Sequence, residues 1–530
     1  MARGALAISA VFGAAKPATF VGVAVLSVVL GLLTTALLAL LIRAPGLSAL
    51  TPGDWAAVRF TLLQATLSAF FSVALAVPLA RALVRRRFPG RGLALTLLGA
   101  PFLLPVLVAV LGLLAVWGRA GLANNGLAAL GLPRVEPYGL GGIVMAHVFF
   151  NLPLATRLLL QGWARVPAAH LRLALQLDFG PAATFRWIER PVLAAVLPGA
   201  FLLVFLLAMS SFAVVLTLGG GPSATTIELA IYEALRFDFD LGRAVQLALL
   251  QIGLGLGIAL LLLSGGVAQP VGGVPAAVSQ WPGDRAGLRL LDCAVLTVAA
   301  LFLAAPLVLV VQRGVAGLAA GLPPGLWSAL FTSLWIALAA AALTALGGLG
   351  LAQWIVRLGP HAARMAESVG LLLLAASPFV LGTGLFVALS RVADPFALAL
   401  PLTAVLNALL ALPFTLRLLV PPLDEVERRF GPLADSLSMR GVDRFRRVTL
   451  PVLARPLGFA MGLTAALSAG DLGIIALFAP PGVETLPLYM YRLMGAYRLD
   501  AAEGAALVLL CLALALFAVF DRVGSRVSRA

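Results

Sequence analysis

Apolar residues run without alternation through twelve stretches of the chain, at about 20–42, 60–80, 93–117, 140–163, 192–218, 244–265, 293–312, 326–356, 368–390, 395–418, 456–478 and 504–520. A helix needs about 20 such residues to cross a bilayer. Strands of a membrane barrel would alternate polar and apolar positions over about ten residues, and these runs do not. The pattern predicts an all-α integral membrane protein of about twelve transmembrane helices, with 326–356 longer than a perpendicular span requires.

Composition agrees. Of 530 residues, 62% are hydrophobic and 11% charged, too few to give a water-soluble fold a polar skin and leaving no room for a large soluble catalytic domain. The formal charge of +15 reads as an orientation signal. With the N-terminus cytoplasmic, 27 of the 37 basic residues fall on the inner side, including Arg81, Arg85, Arg86, Arg87, Arg165, Arg172, Arg428, Arg429 and Arg444. The positive-inside rule therefore expects both termini in the cytoplasm and no nucleic-acid partner. The first span, with Arg3 and Lys16 ahead of it, is expected to be a retained helix. Cys293 and Cys511 lie far apart in apolar segments, which suits neither a disulfide framework nor a metal cluster.

Shifted by 260 residues, the chain matches itself. Between 152 and 194 fifteen of 43 positions are identical to their counterparts, among them Pro153/Pro413, Arg157/Arg417, Leu173/Leu433, Ala174/Ala434, Leu177/Leu437, Arg186/Arg446 and Pro191/Pro451. Six spans precede the restart, an even number, so the halves are expected as two parallel six-helix repeats. The Gly/Pro-rich stretch 264–288 reads as a flexible cytoplasmic linker.

The strongest duplicated feature is a basic loop between the fourth and fifth spans of each half. Each copy reads as a short helix, a turn and a second short basic helix ending at Pro191 or Pro451, which opens the next span. Leu173, Ala174 and Leu177 make a small apolar ridge fit for another protein's groove; resting on lipid headgroups is the alternative for a single loop. The two loops resemble the coupling loop of ABC importer permeases, with the pattern E-A-A-x3-G-x9-I-x-L-P. Ala174, Ile188 and Pro191 match it in the first half, and Ala434, Val448, Leu450 and Pro451 in the second. Arg172 and Pro432 replace its Glu, and Asp178 and Ser438 its Gly, so Gly180 and Gly441 are expected to supply the turn.

Further stretches carry a closer likeness. LPVLVAVLGLLAVWGR (104–119), PYGLGGIVMAHVFFNLPLATRLLLQ (137–161), SFAVVLTLGGGPSATTIELAIYEALRFDFD (211–240), SAGDLGIIALF (468–478) and ETLPLYMYRLMGAYR (484–498) resemble the permeases that import thiamine and thiamine pyrophosphate, the ThiP family. The resemblance implies a type I ABC importer permease fold in the bacterial inner membrane. It also implies a cytoplasmic ABC ATPase dimer that uses ATP and Mg, a periplasmic thiamine-binding protein, and thiamine or thiamine pyrophosphate as cargo. The implied division is an N-terminal tail with the first helix (1–55), a first permease domain (56–264), the linker (265–289), a seventh helix (290–323) and a second permease domain (324–525). The coupling residues would be Leu173, Ala174, Leu177, Asp178, Gly180, Arg186, Ile188 and Pro191, with Leu433, Ala434, Leu437, Ser438, Gly441, Arg446, Val448 and Pro451.

No G-x4-G-K-[ST] occurs, so the chain lacks a P-loop for ATP, and it is expected to be neither an enzyme nor a cofactor or metal binder. Asp471 is the one acid well inside an apolar stretch, where a carboxylate costs about 2.5–3.5 kcal/mol to insert, so it should face protein or water. Asp471 and Asn151 are candidates for the substrate pathway, with a structural hydrogen bond or a gate as other roles for Asp471. Gln64, Gln251 and Asn407 suit interhelix hydrogen bonds and His147 a packed core role, while His170 and His361 lack ligand partners at metal spacing. Gly219–Gly221 is expected to end the fifth span in an external turn. A ferric-iron importer is the alternative within the class. An ion-coupled secondary carrier is the rival outside it and would predict buried acids in several spans; a membrane enzyme would need a paired acid and base that the sequence lacks.

Overall fold

The computed structural model describes residues 17–43, 50–98, 103–264, 281–358, 377–439, 441–480 and 482–528. Among the described residues there are helices and no strand. In chain order they are α1 (Pro17–Arg43), α2 (Pro52–Arg85), α3 (Arg91–Leu97), α4 (Val106–Trp117), α5 (Leu122–Ala129), α6 (Leu140–Ala164), α7 (Ala168–Gln176), α8 (Pro181–Thr184), α9 (Arg190–Met209), α10 (Phe212–Leu218), α11 (Ile227–Arg236) and α12 (Leu241–Ser264). There follow α13 (Ala286–Ala319), α14 (Leu326–Arg357), α15 (Pro378–Leu389), α16 (Ala399–Ser436), α17 (Gly441–Arg444), α18 (Leu450–Ala469), α19 (Gly473–Phe478), α20 (Leu486–Gly495) and α21 (Leu499–Val527).

Eleven helical stretches are long and apolar enough to cross a membrane, and Pro378–Leu389 is a shorter apolar helix in the ninth expected span. The chain is a multi-pass membrane protein. Most of the linker, the start of that ninth span, His361 and Arg440 lie outside the described residues. Three expected spans are interrupted. The third is α3 and α4; the fifth stops at Ser210–Ser211 and resumes as α10. The eleventh stops at Gly470 and resumes as α19. In contrast, α16 runs unbroken for 38 residues through Pro413, Pro421, Pro422 and Pro432, roughly 57 Å at 1.5 Å per residue, well past a bilayer core.

The chain falls into two compact units that do not follow its order. One gathers α2 to α13 with residues 490–508; the other gathers α1, α14 to α19, the start of α20 and the end of α21. In the second unit α1 lies against α14, where a Cβ on Gly22 would stand 2.2 Å from Trp354 and one on Gly350 2.7 Å from Val21. Only glycine allows that approach, the usual device where helices in lipid gain no hydrophobic drive from each other. In the first unit α13 lies as close to α4, a Cβ on Gly112 falling 2.6 Å from the Pro306 carbonyl.

At the end of α2 away from Arg85, Thr51 and Asp54 form a reciprocal cap, and the other Asp54 oxygen accepts from Arg243 at 2.9 Å. Each unit also seats the start of a ten-residue helix on a hydroxyl. Ile227 N donates to Thr61 Oγ1 at 2.9 Å, and Leu486 N to Ser333 Oγ at 2.8 Å. Those bonds satisfy N–H groups that a helix cannot pair internally, which lipid would leave bare. Ahead of α11 the expected turn at Gly219–Gly221 follows the end of α10, with Gly220 and Gly221 at φ of +75° and +133°.

Candidate functional site

The two basic loops share two local features at positions 260 apart, a left-handed residue that ends a helix and a π-helical turn before the next span. In the first, Leu171 and Ala174 of α7 are buried while Leu173 and Leu177 are 53% and 60% exposed. The helix ends with Phe179 N donating to Ala174 O at 2.9 Å and Asp178 at φ +49°. In the second, Ala434 is buried, Leu433 and Leu437 are 57% and 63% exposed, Met439 N donates to Ala434 O at 2.9 Å and Ser438 has φ +53°. Both chains then pass through a four-residue helix and a π-helical turn, Phe185–Glu189 or Phe445–Thr449, into the next span. Pro191 and Pro451 each take the second position of that span, where the missing N–H costs nothing.

One expectation is corrected. The left-handed residue of the turn is Asp178 and Ser438, the positions at which the resembling motif has Gly, and not Gly180, whose φ is −68°. Asp tolerates that region better than most residues because its short polar side chain bonds locally. Gly441 is also left-handed, at φ +57°. The expected helix–turn–helix of the second loop is corrected as well: its first helix is the end of α16, whereas Pro167 separates α7 from α6.

Of the remaining loop candidates, Ile188 is buried and Val448 half-buried. Arg186 is exposed, its guanidinium 5.5 Å from the centre of the Trp187 ring, and Arg446 is exposed. Together the exposed leucines make the apolar ridge and the arginines its charged flank.

Glu189, absent from the sequence candidates, holds the first loop in place. It is buried against Arg81 at 2.9 Å and Arg85 at 2.6 Å, two arginines of α2 read from sequence as orientation signals alone. Glu189 is the only acid between Asp178 and Glu228, and that isolation beside a run of arginines was the available signal. Arg85 also stands 5.7 Å over the buried Trp281. The chain after Trp281 lies on the same loop: Thr184 Oγ1 donates to Pro282 O at 3.4 Å, and a Cβ on Gly283 would fall 2.7 Å from Pro181 N. Arg86 grips Asp284 with two bonds of 2.7 and 2.9 Å and Asp292 at 2.7 Å. That guanidinium holds the Asp284 carboxyl below the usual carboxylate range. At the position matching Glu189 the second loop has Thr449, and it is held instead by Arg444, paired with Glu427 at 2.5 Å and Asp435 at 2.7 Å.

The intramembrane polar residues resolve mostly into interhelix bonds. Gln64 and Gln251 donate to Ala208 O and Met209 O, at 2.9 and 3.5 Å, two carbonyls freed where α9 stops. His147 meets Ser68 at 2.9 Å, and Asn407 donates to Ser468 at 2.9 Å. Asn151 is buried one turn beyond His147 on α6. Asp471 sits half-buried in the break between α18 and α19, accepting from Gly473 N and Ile474 N at 3.2 and 3.3 Å. Asn151 and Asp471 belong to different units. Among the described residues no His, Cys, Asp and Glu group is placed to hold a metal ion, and both cysteines are free and exposed.

The chain is 42% identical over 482 residues to the thiamine transport system permease protein ThiP of Brucella abortus (strain 2308), covering 89% of this chain and 88% of the relative. Against the protein of that name from Escherichia coli (strain K12) the identity is 42% over 484 residues, covering 89% of each. Against that from Haemophilus influenzae it is 35% over 477 residues, covering 87% of each. No family model and no solved structure matches the chain.

Proposed function

Because the chain belongs to the family of thiamine transport system permease proteins, we propose that it is the permease subunit of an ATP-driven importer of thiamine and its phosphate esters. The observation that carries this reading is identity of 42% sustained over nine-tenths of both chains, too long to reflect shared hydropathy alone. In this reading the basic loops face the cytoplasm, as does each terminus, and the two leucine ridges dock on a pair of ATPase subunits. Closure of that pair would draw the loops together and shift the chain between inward-open and outward-open states. A binding protein on the other side would then deliver the cargo. The ATPase favours one state because it contacts the loops differently in the two, which is what moves any two-state equilibrium.

Asp471 and Asn151 remain the pathway candidates. A half-buried carboxylate suits a cationic thiazolium, and its two bonds to the start of α19 orient it. The test is initial uptake of labelled thiamine at nanomolar concentration in cells with the gene, without it and with it restored on a plasmid, each with and without a functional ATPase partner. Uptake lost with the gene, recovered with the plasmid and dependent on the ATPase is the expected result. Uptake unaffected by the deletion would remove thiamine as the main cargo. Uptake that survives ATPase loss but collapses with an ionophore would support an ion-coupled carrier instead.

A further inference from the structure

Under the first loop lies a cavity of about 530 Å³, within the range of small-molecule and cofactor sites. Its walls include Phe179, Ile188, Val192 and Val196, while Arg165 and His170 also line it and are exposed to solvent. None of the residues lining it is acidic. The cavity sits between the last turn of α6, which ends at Ala164, and the first turns of α9, at the ends of two helices long and apolar enough to cross a membrane. Its apolar residues run along the first turns of α9, and its basic residues follow α6 and stand on α7. A water-soluble metabolite has no use for that polarity; an amphiphile entering from the bilayer does.

We propose that this cavity seats one anionic phospholipid, with its acyl chains against Ile188, Val192 and Val196 and its phosphate at Arg165 and His170. Basic pockets between spans at headgroup depth suit such headgroups, because the charge attraction adds to apolar burial. Trp187 is also a wall of the cavity and is 66% exposed, and amphipathic rings of this kind favour a membrane surface. Leu173 is shared: it lines the cavity and stands on the exposed ridge, so an occupied cavity supports the ridge from beneath.

The second loop provides an internal control. At the matching positions Glu425 replaces Arg165, Phe430 replaces His170, and Arg455 and Pro456 replace Ala195 and Val196. The basic mouth becomes acidic there and the apolar wall gains a charge. The chain therefore holds one such lipid, under the first loop only.

The test uses the full chain purified in mild detergent, with phosphatidylglycerol or phosphatidylethanolamine of identical acyl chains added, and retained lipids counted by native mass spectrometry. The parent should retain a single phosphatidylglycerol at roughly one-fifth the concentration needed for phosphatidylethanolamine, from the Arg165 guanidinium near the headgroup. The double variant Arg165→Glu/His170→Glu should erase that preference, and Ala195→Trp, which fills the apolar wall, should abolish the retained lipid. The surface variant Arg134→Glu should leave both unchanged. All three change exposed side chains, and a monodisperse elution profile verifies that each folds. Equal retention of the two lipids by the parent, or retention undiminished in both cavity variants, would overturn the proposal. So would a photoreactive residue at position 195 that crosslinks to the ATPase in the assembled importer and not to lipid, since the groove would then be a protein interface.

Discussion

In the first loop, Pro167 frees α7 from its span and a buried Glu189 ties the π-helical turn to two arginines of α2. In the second, the ridge is the end of the 38-residue α16, Thr449 stands where the glutamate was, and Arg444 joins the turn to Glu427 and Asp435 of that same helix. The backbones agree at the left-handed residue and in the π-helical turn but differ between them, where Gly441 is left-handed and its counterpart Pro181 opens a helix; the fastenings differ as well. One loop is anchored to a distant helix of its bundle, the other to the long helix that delivers it. The two ridges therefore rest on different supports, the first on α2 and the second on α16.

The largest expected effect breaks the first anchor. Glu189→Ala strands Arg85 among buried neighbours, and removing one partner of a buried pair costs about 3–5 kcal/mol. Thermal unfolding of the purified permease should show a clear fall in Tm, while the matched Thr449→Ala should lose no more than about 1 kcal/mol, the scale of a single hydrogen bond. Equal shifts in the two variants would end the claim that the loops are held differently.

Reversing both flanking charges, Arg186→Glu with Arg446→Glu, should uncouple ATP hydrolysis from uptake in the assembled importer by about tenfold or more, since charge contacts at an interface govern docking. The protein should still insert, because both side chains are exposed. Uptake at the parental rate per ATP would take these arginines out of the docking surface.

A smaller effect is expected for Arg444→Ala. Its side chain is 17% exposed and its partners are more so, giving a loss of about 1 kcal/mol. Faster hydrogen exchange should appear in 441–449 and not in 181–189. Smaller again, Asp178→Gly and Ser438→Gly should each raise stability, by up to about 1 kcal/mol, because glycine enters the left-handed region without the Cβ penalty. Ser438→Gly should gain more, as serine is the less adapted to it; a loss of stability in both would mean that their side chains contribute more than their backbone strain.

The smallest effect concerns the chain end that lies on the first loop. Asp284 has a lowered pKa in the folded protein, so its pairing with Arg86 contributes fully above the ordinary carboxylate value of about 3.8 and is lost as pH falls through the lower folded value. Exchange protection of 281–285 should be flat from pH 8 to 5 and decline only in stronger acid, where the pair is neutralised. Asp284→Asn should show the reduced protection already at neutral pH. Protection that changes near pH 6 would point to another group.

Much of this architecture is legible in the sequence because its cause is local. Hydropathy sums over neighbours, so the spans, the ridge leucines and the recurrence at 260 residues can be read along the chain, as can the family likeness that the relatives bear out. The interruptions at Ser210–Ser211 and Gly470 fall inside stretches that hydropathy reads as single spans. The turn at Asp178 was harder, since the residue carries no glycine signature and only the backbone reveals its φ. The stretch expected at 395–418 continues as α16 through Pro421, Pro422 and Pro432 to Ser436, because packing and the surrounding structure can satisfy a helix that local propensity disfavours.

Only the tertiary structure could assign partners. Glu189 finds Arg85 across 104 residues and Arg86 finds Asp284 across 198, and no periodicity encodes such pairings. The same holds for α1, grouped with α14 and α15, and for α13, grouped with α2 and α4. A transmembrane helix is apolar all round, so its sequence states that it will enter the bilayer but leaves open which neighbour it will meet. That choice rests on close fits such as Gly22 against Trp354 and Gly112 against Pro306, which exist only once both helices are in place.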